Sequence, residues 1–361
     1  MGMTLLLMVA GLGALVVGAE SLVRGAPKLA LSFGISPLVV GLTVVAFGTS
    51  SPEMAVSVYA ALSGKVDLAM GNVVGSNIFN ILFILGTSAL ITPLLVAQQL
   101  IRQEVPIMIG VSLLLFALAL DRGIGRTDGL IFVGLMITYT VFLIRQSRAA
   151  NKALKDEAAS EVAAICKGAW DDKLAVQIVL VLGGLALLVL GADWFVGGAI
   201  RIAQALGVSE LVIGLTIVAA GTSMPEVATS LLAAIRGERE IAVGNVVGSN
   251  IFNILGCLGV SAIVAPAGLP VPESMIAFDL PVMLAVAIAC LPIFFSGNTI
   301  ARWEGFVFLG YYVAYTAYLI LASQRHDALD ELGFVMTWVV IPLTALTLAL
   351  VVYRQMRPKP A

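Results

Sequence analysis

Residues 41–86 read GLTVVAFGTSSPEMAVSVYAALSGKVDLAMGNVVGSNIFNILFILG, and residues 214–259 read GLTIVAAGTSMPEVATSLLAAIRGEREIAVGNVVGSNIFNILGCLG. Aligned without gaps at an offset of 173, the two stretches agree at 30 of 46 positions. What they share is polar: Thr49-Ser50-x-Pro52-Glu53 and Gly71-Asn72-x-x-Gly75-Ser76-Asn77-x-x-Asn80, each with its twin. Both copies set a glutamate, Glu53 or Glu226, in an otherwise apolar helical run. Inserting each such charge at the centre of a membrane helix costs about 2.5–3.5 kcal/mol. Two of them, identically placed, therefore point to a cation site rather than to chance hydrogen bonding.

The surroundings are those of a membrane protein. The chain is 60% hydrophobic and only 12% charged, with a mean hydropathy of +1.05. Soluble domains carry about 25% charged residues. A net charge of −2 without a basic patch gives no reason to expect a nucleic-acid partner. Cys166, Cys257 and Cys290 are scattered and read as small apolar packing residues. His326 falls in an outer loop and is not read as a ligand.

A membrane-spanning helix needs about twenty apolar residues. Such windows fall at 3–23, 36–62, 68–92, 104–120, 127–145, 174–196, 209–235, 241–264, 275–296, 303–323 and 333–353. The first is read as a span and not a signal peptide, because its basic residues, Arg24 and Lys28, follow the apolar run. With the N-terminus outside, fifteen of the 20 lysines and arginines lie on the inner side, as the positive-inside rule requires.

The duplication continues beyond the motifs. Gly11 matches Gly184, Gly18-Ala19-Glu20 matches Gly191-Ala192-Asp193, and Gly129 matches Gly305 after a three-residue shift. Each unit then has five spans, and an odd number turns the second copy over. The expected architecture is an all-α polytopic membrane protein of two inverted-topology five-helix repeats with one extra C-terminal helix. Residues 1–147 form the first repeat, 148–173 a cytoplasmic linker, 174–323 the second repeat, and 324–361 the extra span and basic tail. Inverted repeats of this kind typify secondary transporters, with the substrate site near the midplane.

The motif chemistry suits a hard cation, which takes oxygen ligands. Pro52 and Pro225 each remove a backbone donor, releasing carbonyls around Ala46–Thr49 and their twins. Such backbone is tolerated at membrane depth where it lines a cavity. Asn72, Ser76 and Asn80 share one helix face, as do Asn245, Ser249 and Asn253. Asn80 and Asn253 read as ligands, Asn72 and Asn245 as packing or capping groups, and Asn77 and Asn250 stay between the two roles. Gly71, Gly75, Gly244 and Gly248 keep these helices slim enough for close approach. Glu20, Asp193, Glu104 and Asp279 read as interfacial.

The paired signatures G-T-S-x-P-E and G-N-x-x-G-S-N-I-x-N resemble the sodium/calcium exchanger family of the calcium:cation antiporter superfamily. The resemblance covers both repeats, nearly all the chain except the last span. It implies ten core helices, with the second, third, seventh and eighth forming the ion site and the first and sixth sliding across it. It implies Glu53 and Glu226 as acidic ligands. The oxygens of Thr49, Thr222, Ser50, Ser223, Ser76 and Ser249, and the backbone carbonyls of Ala46 and Ala219, complete the set. One departure stands out: the family typically has an acidic residue where this chain has Asn253, so the centre holds at most two negative charges.

The reading that follows is a cation antiporter exchanging Ca²⁺ for Na⁺ by alternating access in the cytoplasmic membrane, with a Ca²⁺/H⁺ or Na⁺/H⁺ exchanger as the alternative. A passive channel would use the same oxygens but needs a continuous pore. An intramembrane enzyme lacks HExxH, GxSxG or paired aspartates. The expected partners are the transported cations and the bilayer, with no cofactor.

Overall fold

The computed structural model describes residues 2–158, 173–206, 219–295, 297–324 and 328–356. The helices in chain order are α1 (Gly2–Ser32), α2 (Pro37–Thr49), α3 (Ser51–Leu62), α4 (Val66–Ile91), α5 (Leu100–Ala119), α6 (Arg126–Ala158) and α7 (Leu174–Ala205). They continue as α8 (Ala219–Thr222), α9 (Met224–Arg236), α10 (Arg239–Val264), α11 (Met275–Phe295), α12 (Arg302–Gln324), α13 (Ala328–Val335) and α14 (Ile341–Met356). Among the described residues eight helices are long and apolar enough to cross a membrane, and nine if α2 and α3 count as one broken span.

Three of the eleven expected spans therefore look different in the structure. The window 36–62 breaks at Ser50, where α2 and α3 bend by 45°. Pro52 sits in the first turn of α3, the one place a helix tolerates its missing donor. The window 209–235 lies outside the described residues up to 218, leaving α8 and α9. In the window 333–353 the apolar helical stretch is the shorter Leu332–Thr347. The expected linker also begins as helix, since α6 runs on to Ala158; residues 159–172, with Cys166, lie outside the described residues, as does His326.

α10 and α4 are the buried centre, with 89% and 72% of their apolar windows inside the protein, against 11% for α12. α10 reaches its position through small residues. A Cβ on Gly248 would meet the backbone of Leu42 in α2 at 2.7 Å, and one on Gly244 would meet Leu38 at 3.1 Å. The corresponding Gly71 and Gly75 on α4 meet no described neighbour within 4 Å.

A second close seam joins α1 to α7. A Cβ on Gly11 would lie 2.8 Å from the Gly191 carbonyl, and one on Gly191 would lie 2.7 Å from that of Gly11. Gly18 and Gly184 show the same reciprocity at 2.8 Å each. As the index rises on one helix it falls on the other, so the helices run antiparallel. Backbones this near gain dispersion contact along their length, which is what drives helix association in lipid.

The all-α expectation misses two short antiparallel ladders. β1 (Leu94–Leu95) pairs with β4 (Thr299–Ile300), and β2 (Gly123–Ile124) pairs with β3 (Leu269–Pro270). α5 runs between β1 and β2, so the ladders sit at its opposite ends. Each one ties a loop of the N-terminal half to a loop of the C-terminal half. Two-residue strands carry no alternation pattern to read in sequence.

The glycine seam yields a direct test. Gly18→Val drives a branched side chain into the Gly184 backbone and should destabilise the protein by about 1–3 kcal/mol, the usual range for overpacking. Gly13→Val, on the exposed side of α1 with nothing within 4 Å, should leave thermal unfolding in detergent unchanged.

Candidate functional site

The break between α2 and α3 aims the motif inward from one side, and the break between α8 and α9 does so from the other. Glu53, in the first turn of α3, and Glu226, in the first turn of α9, are fully buried. Each is held by a hydroxyl from the other half. Ser223 Oγ donates to Glu53 Oε1 at 2.7 Å, and Ser50 Oγ donates to Glu226 Oε1 at 2.7 Å. Ser249 Oγ reaches Glu226 Oε1 at 3.5 Å, while Ser223 and Ser76 hydroxyls lie 3.1 Å apart.

The threonines and asparagines pair in the same crossed manner. Thr49 Oγ1 donates to Asn245 Oδ1 and Thr222 Oγ1 to Asn72 Oδ1, both at 3.2 Å. The amide nitrogens of Asn72 and Asn245 donate to Ser57 and Ser230 hydroxyls, each at 2.9 Å. Asn72 also donates to the Glu53 carbonyl at 3.2 Å. The reading of Asn72 and Asn245 as packing groups thus has a specific content: they orient the threonines and brace the broken helices. Ser57 and Ser230, which complete that brace, were not singled out from sequence although they sit at twin positions.

Asn77 and Asn250 have a clear structural task. Each donates to the other's backbone carbonyl at 3.3 Å, and their Oδ1 atoms accept from Asn253 and Asn80 at 3.1 and 3.0 Å. This fixes the amides of Asn80 and Asn253 with each nitrogen turned to the opposing asparagine and each Oδ1 turned away from that bond. Both ligand-candidate asparagines begin a π-helical turn, Asn80–Leu85 in α4 and Asn253–Leu258 in α10. Such turns concentrate at functional positions because they re-aim side chains and loosen carbonyls.

The backbone is less open than the prolines suggest. The Ala46 carbonyl still accepts the Ser50 N–H at 3.0 Å and the Thr49 hydroxyl at 3.4 Å, and the Phe47 carbonyl is taken by the Ser51 hydroxyl at 3.0 Å. Ala219 stands at the head of α8.

Among the described residues, three buried oxygens of this site have no hydrogen-bond partner: Glu53 Oε2, Glu226 Oε2 and Asn80 Oδ1. An orphaned buried acceptor costs about 1–3 kcal/mol, and more when it is charged. Acceptor-only oxygens that no protein donor satisfies are what a cation would complete.

A second polar cluster corrects an expectation. Glu104, read as interfacial, is fully buried at the start of α5. Its Oε1 accepts from Gln99 and Gln103 side-chain amides at 2.9 and 2.8 Å, and its Oε2 from the Tyr139 hydroxyl at 2.7 Å. In the other half Asp279 is half-buried and accepts from Tyr315 at 2.9 Å. A signal was present in sequence, where Glu104 meets Asp279 at an offset of 175 and Tyr139 meets Tyr315 at 176. Glu20, also read as interfacial, forms a two-pronged pair with Arg236 at 2.7 and 3.0 Å.

A family model described as sodium/calcium exchanger protein matches residues 3–145 and 176–321. The putative antiporter CaxA of Alkalimonas amylolytica is 39% identical over 318 residues, covering 87% of this chain and 97% of that protein. The sodium/calcium exchanger MaX1 of Methanosarcina acetivorans is 34% identical over 344 residues, again 87% and 97% of the two chains. The solved structure of the sodium-calcium exchanger NCX_Mj superposes with a TM-score of 0.74 at 31% identity, covering 87% of this chain and 98% of that one. The chain belongs to the sodium/calcium exchanger protein family. It is accordingly a multi-pass membrane antiporter of cations, not an enzyme.

The Glu104 cluster lies apart from that chemistry and should act on stability. Tyr139→Phe strips one donor from a buried carboxylate and should destabilise the protein by about 1–3 kcal/mol. Tyr315→Phe, beside the half-buried Asp279, should cost less. Parallel unfolding curves in detergent would rank the two.

Proposed function

We propose that this chain exchanges Ca²⁺ for Na⁺ by alternating access, at a site formed by Glu53, Glu226, Asn80 and Asn253. The oxygens of Thr49, Thr222, Ser50, Ser223, Ser76 and Ser249 and the carbonyls of Ala46 and Ala219 serve the same site. The observation that carries this is the crossed grip on the two carboxylates, with one oxygen of each left without a donor. Two carboxylates neutralise one Ca²⁺ or two Na⁺. With the pair neutral, the buried centre can move relative to the α1–α7 pair; with the pair charged, exposing it to low dielectric is prohibitive. Exchange is then obligatory, since a ligand shifts the conformational balance only through its differential binding.

The reading includes two five-helix repeats of opposite topology, residues 1–147 and 174–323, joined by a cytoplasmic linker, 148–173. An added C-terminal helix and tail occupy 324–361. The crossed strand ladders and the antiparallel glycine seam support it, because a twofold axis within the membrane plane generates both. The N-terminus lies outside and the C-terminus in the cytoplasm of a cell whose cytoplasmic membrane holds the protein. The sodium/calcium exchangers among its relatives favour Na⁺ as the coupling ion. A specific observation keeps a second reading in view: with Asn253 the centre carries two charges, which two protons also neutralise, giving a Ca²⁺/H⁺ exchanger.

The decisive measurement is ⁴⁵Ca²⁺ uptake into sodium-loaded proteoliposomes at fixed pH with the potential clamped. Uptake should require internal Na⁺ and fall at least a hundredfold in Glu53→Gln and in Glu226→Gln, with both variants still monodisperse. Uptake driven by an acid interior and indifferent to Na⁺ would select proton coupling. Full Ca²⁺ exchange in both variants would sink the site.

A further inference from the structure

The serine–glutamate, threonine–asparagine and asparagine–asparagine bonds of the site recur in both halves, but the free oxygens of the two ligand asparagines do not match. Asn80 and Asn253 each give their amide nitrogen to the opposing Asn250 or Asn77. Asn80 Oδ1 is then left unpartnered in a fully buried position. Asn253 Oδ1 is not: the Cys257 thiol lies 3.7 Å away, one turn along α10. The same sulfur lies 3.8 Å from the Ser50 carbonyl, at the break between α2 and α3 in the other half. The position equivalent to Cys257 in the first copy is Ile84, which has no donor.

We infer that Cys257 is a positioning residue that makes the cation site unequal, holding Asn253 Oδ1 with its thiol proton while Asn80 Oδ1 stays free for the ion. This rests on the reading of Asn80, Asn253, Glu53 and Glu226 as the site. A thiol is a weak donor, but inside a dry core even a weak donor competes with a cation for the lone pair it faces. With its one proton on Asn253 Oδ1, the nearer of its two acceptors, the S–H dipole would set its positive end toward the oxygen that a cation would approach. Asn80 therefore serves as the principal neutral ligand and Asn253 as a subordinate one. The three unpartnered oxygens are distributed accordingly: one on each carboxylate and one on Asn80 alone. Removing the thiol should convert Asn253 into a full equivalent of Asn80.

The test is a cycle of variants read by two measurements: the Ca²⁺ concentration giving half-maximal uptake into sodium-loaded vesicles, and the midpoint of Ca²⁺-dependent thermal stabilisation in detergent. Cys257→Ile, which installs the residue of the first copy, and Cys257→Ala, which adds no volume, should each lower both midpoints by about threefold to tenfold, the span expected for directly coupled neighbours. Cys257→Ser keeps a donor in place and should stay at or above the wild-type midpoint. In an Asn253→Ala background, Cys257→Ala should have no further effect, since the thiol acts only through that oxygen. Unchanged midpoints in Cys257→Ala and Cys257→Ile, or an equal shift in the Asn253→Ala background, would overturn the role of Cys257 and leave the exchange reading intact. Wild-type protein that neither takes up Ca²⁺ nor is stabilised by it would overturn both.

Discussion

Two carboxylates buried in a protein that is itself immersed in lipid set the terms for the rest of this structure. A charge there is expensive unless it is paired or neutralised. Glu53 and Glu226 receive no lysine or arginine among the contacts described. Each has one oxygen gripped by a serine and the other without a donor. The short 2.7 Å grip on each comes from the opposite half. Each half therefore depends on the other for the closest hydrogen bond to its glutamate, and the core assembles as an interlocked pair.

Much of the packing serves that interlock. α4 and α10 carry the asparagines, and α10 reaches the centre because Gly244 and Gly248 let it lie directly on the backbone of α2. The backbone breaks at Ser50 and before Met224 deliver hydroxyls and carboxylates to a depth where an unbroken helix would present only one face. The strand ladders and the reciprocal Asn77–Asn250 bonds hold the halves in register at the two ends and in the middle. The α1–α7 pair packs closely on itself through Gly11, Gly18, Gly184 and Gly191, and also against apolar residues of α2 and α9.

Membership of the exchanger family and the helical, membrane-embedded class were legible because they rest on composition and on a duplicated polar motif in an apolar setting. Glu53 and Glu226 were legible for the same reason, since a charge in such a run stands out. Glu104 did not stand out, because it sits near a window edge where an interfacial role explains it equally well. Its burial depends on Tyr139, Gln99 and Gln103 converging from separate segments. Cys257 was hidden in a similar way. In sequence it is one small apolar residue among many, and its significance arises only once Asn253 lies one turn away and its twin is seen to be isoleucine.

By itself the sequence determined the apolar spans, the duplication and the residue types brought to the centre, all of which follow from local chemistry: hydrophobic length, helical period and proline position. The tertiary structure alone decided the partners. That Ser50 holds Glu226 and not Glu53, that Gly11 meets Gly191, and that Asn80 keeps a free oxygen while Asn253 does not are relations between segments more than 150 residues apart in most cases. No local propensity encodes them. They come from the packing of two similar halves against each other, where serine, threonine and asparagine groups of one half meet their partners in the other.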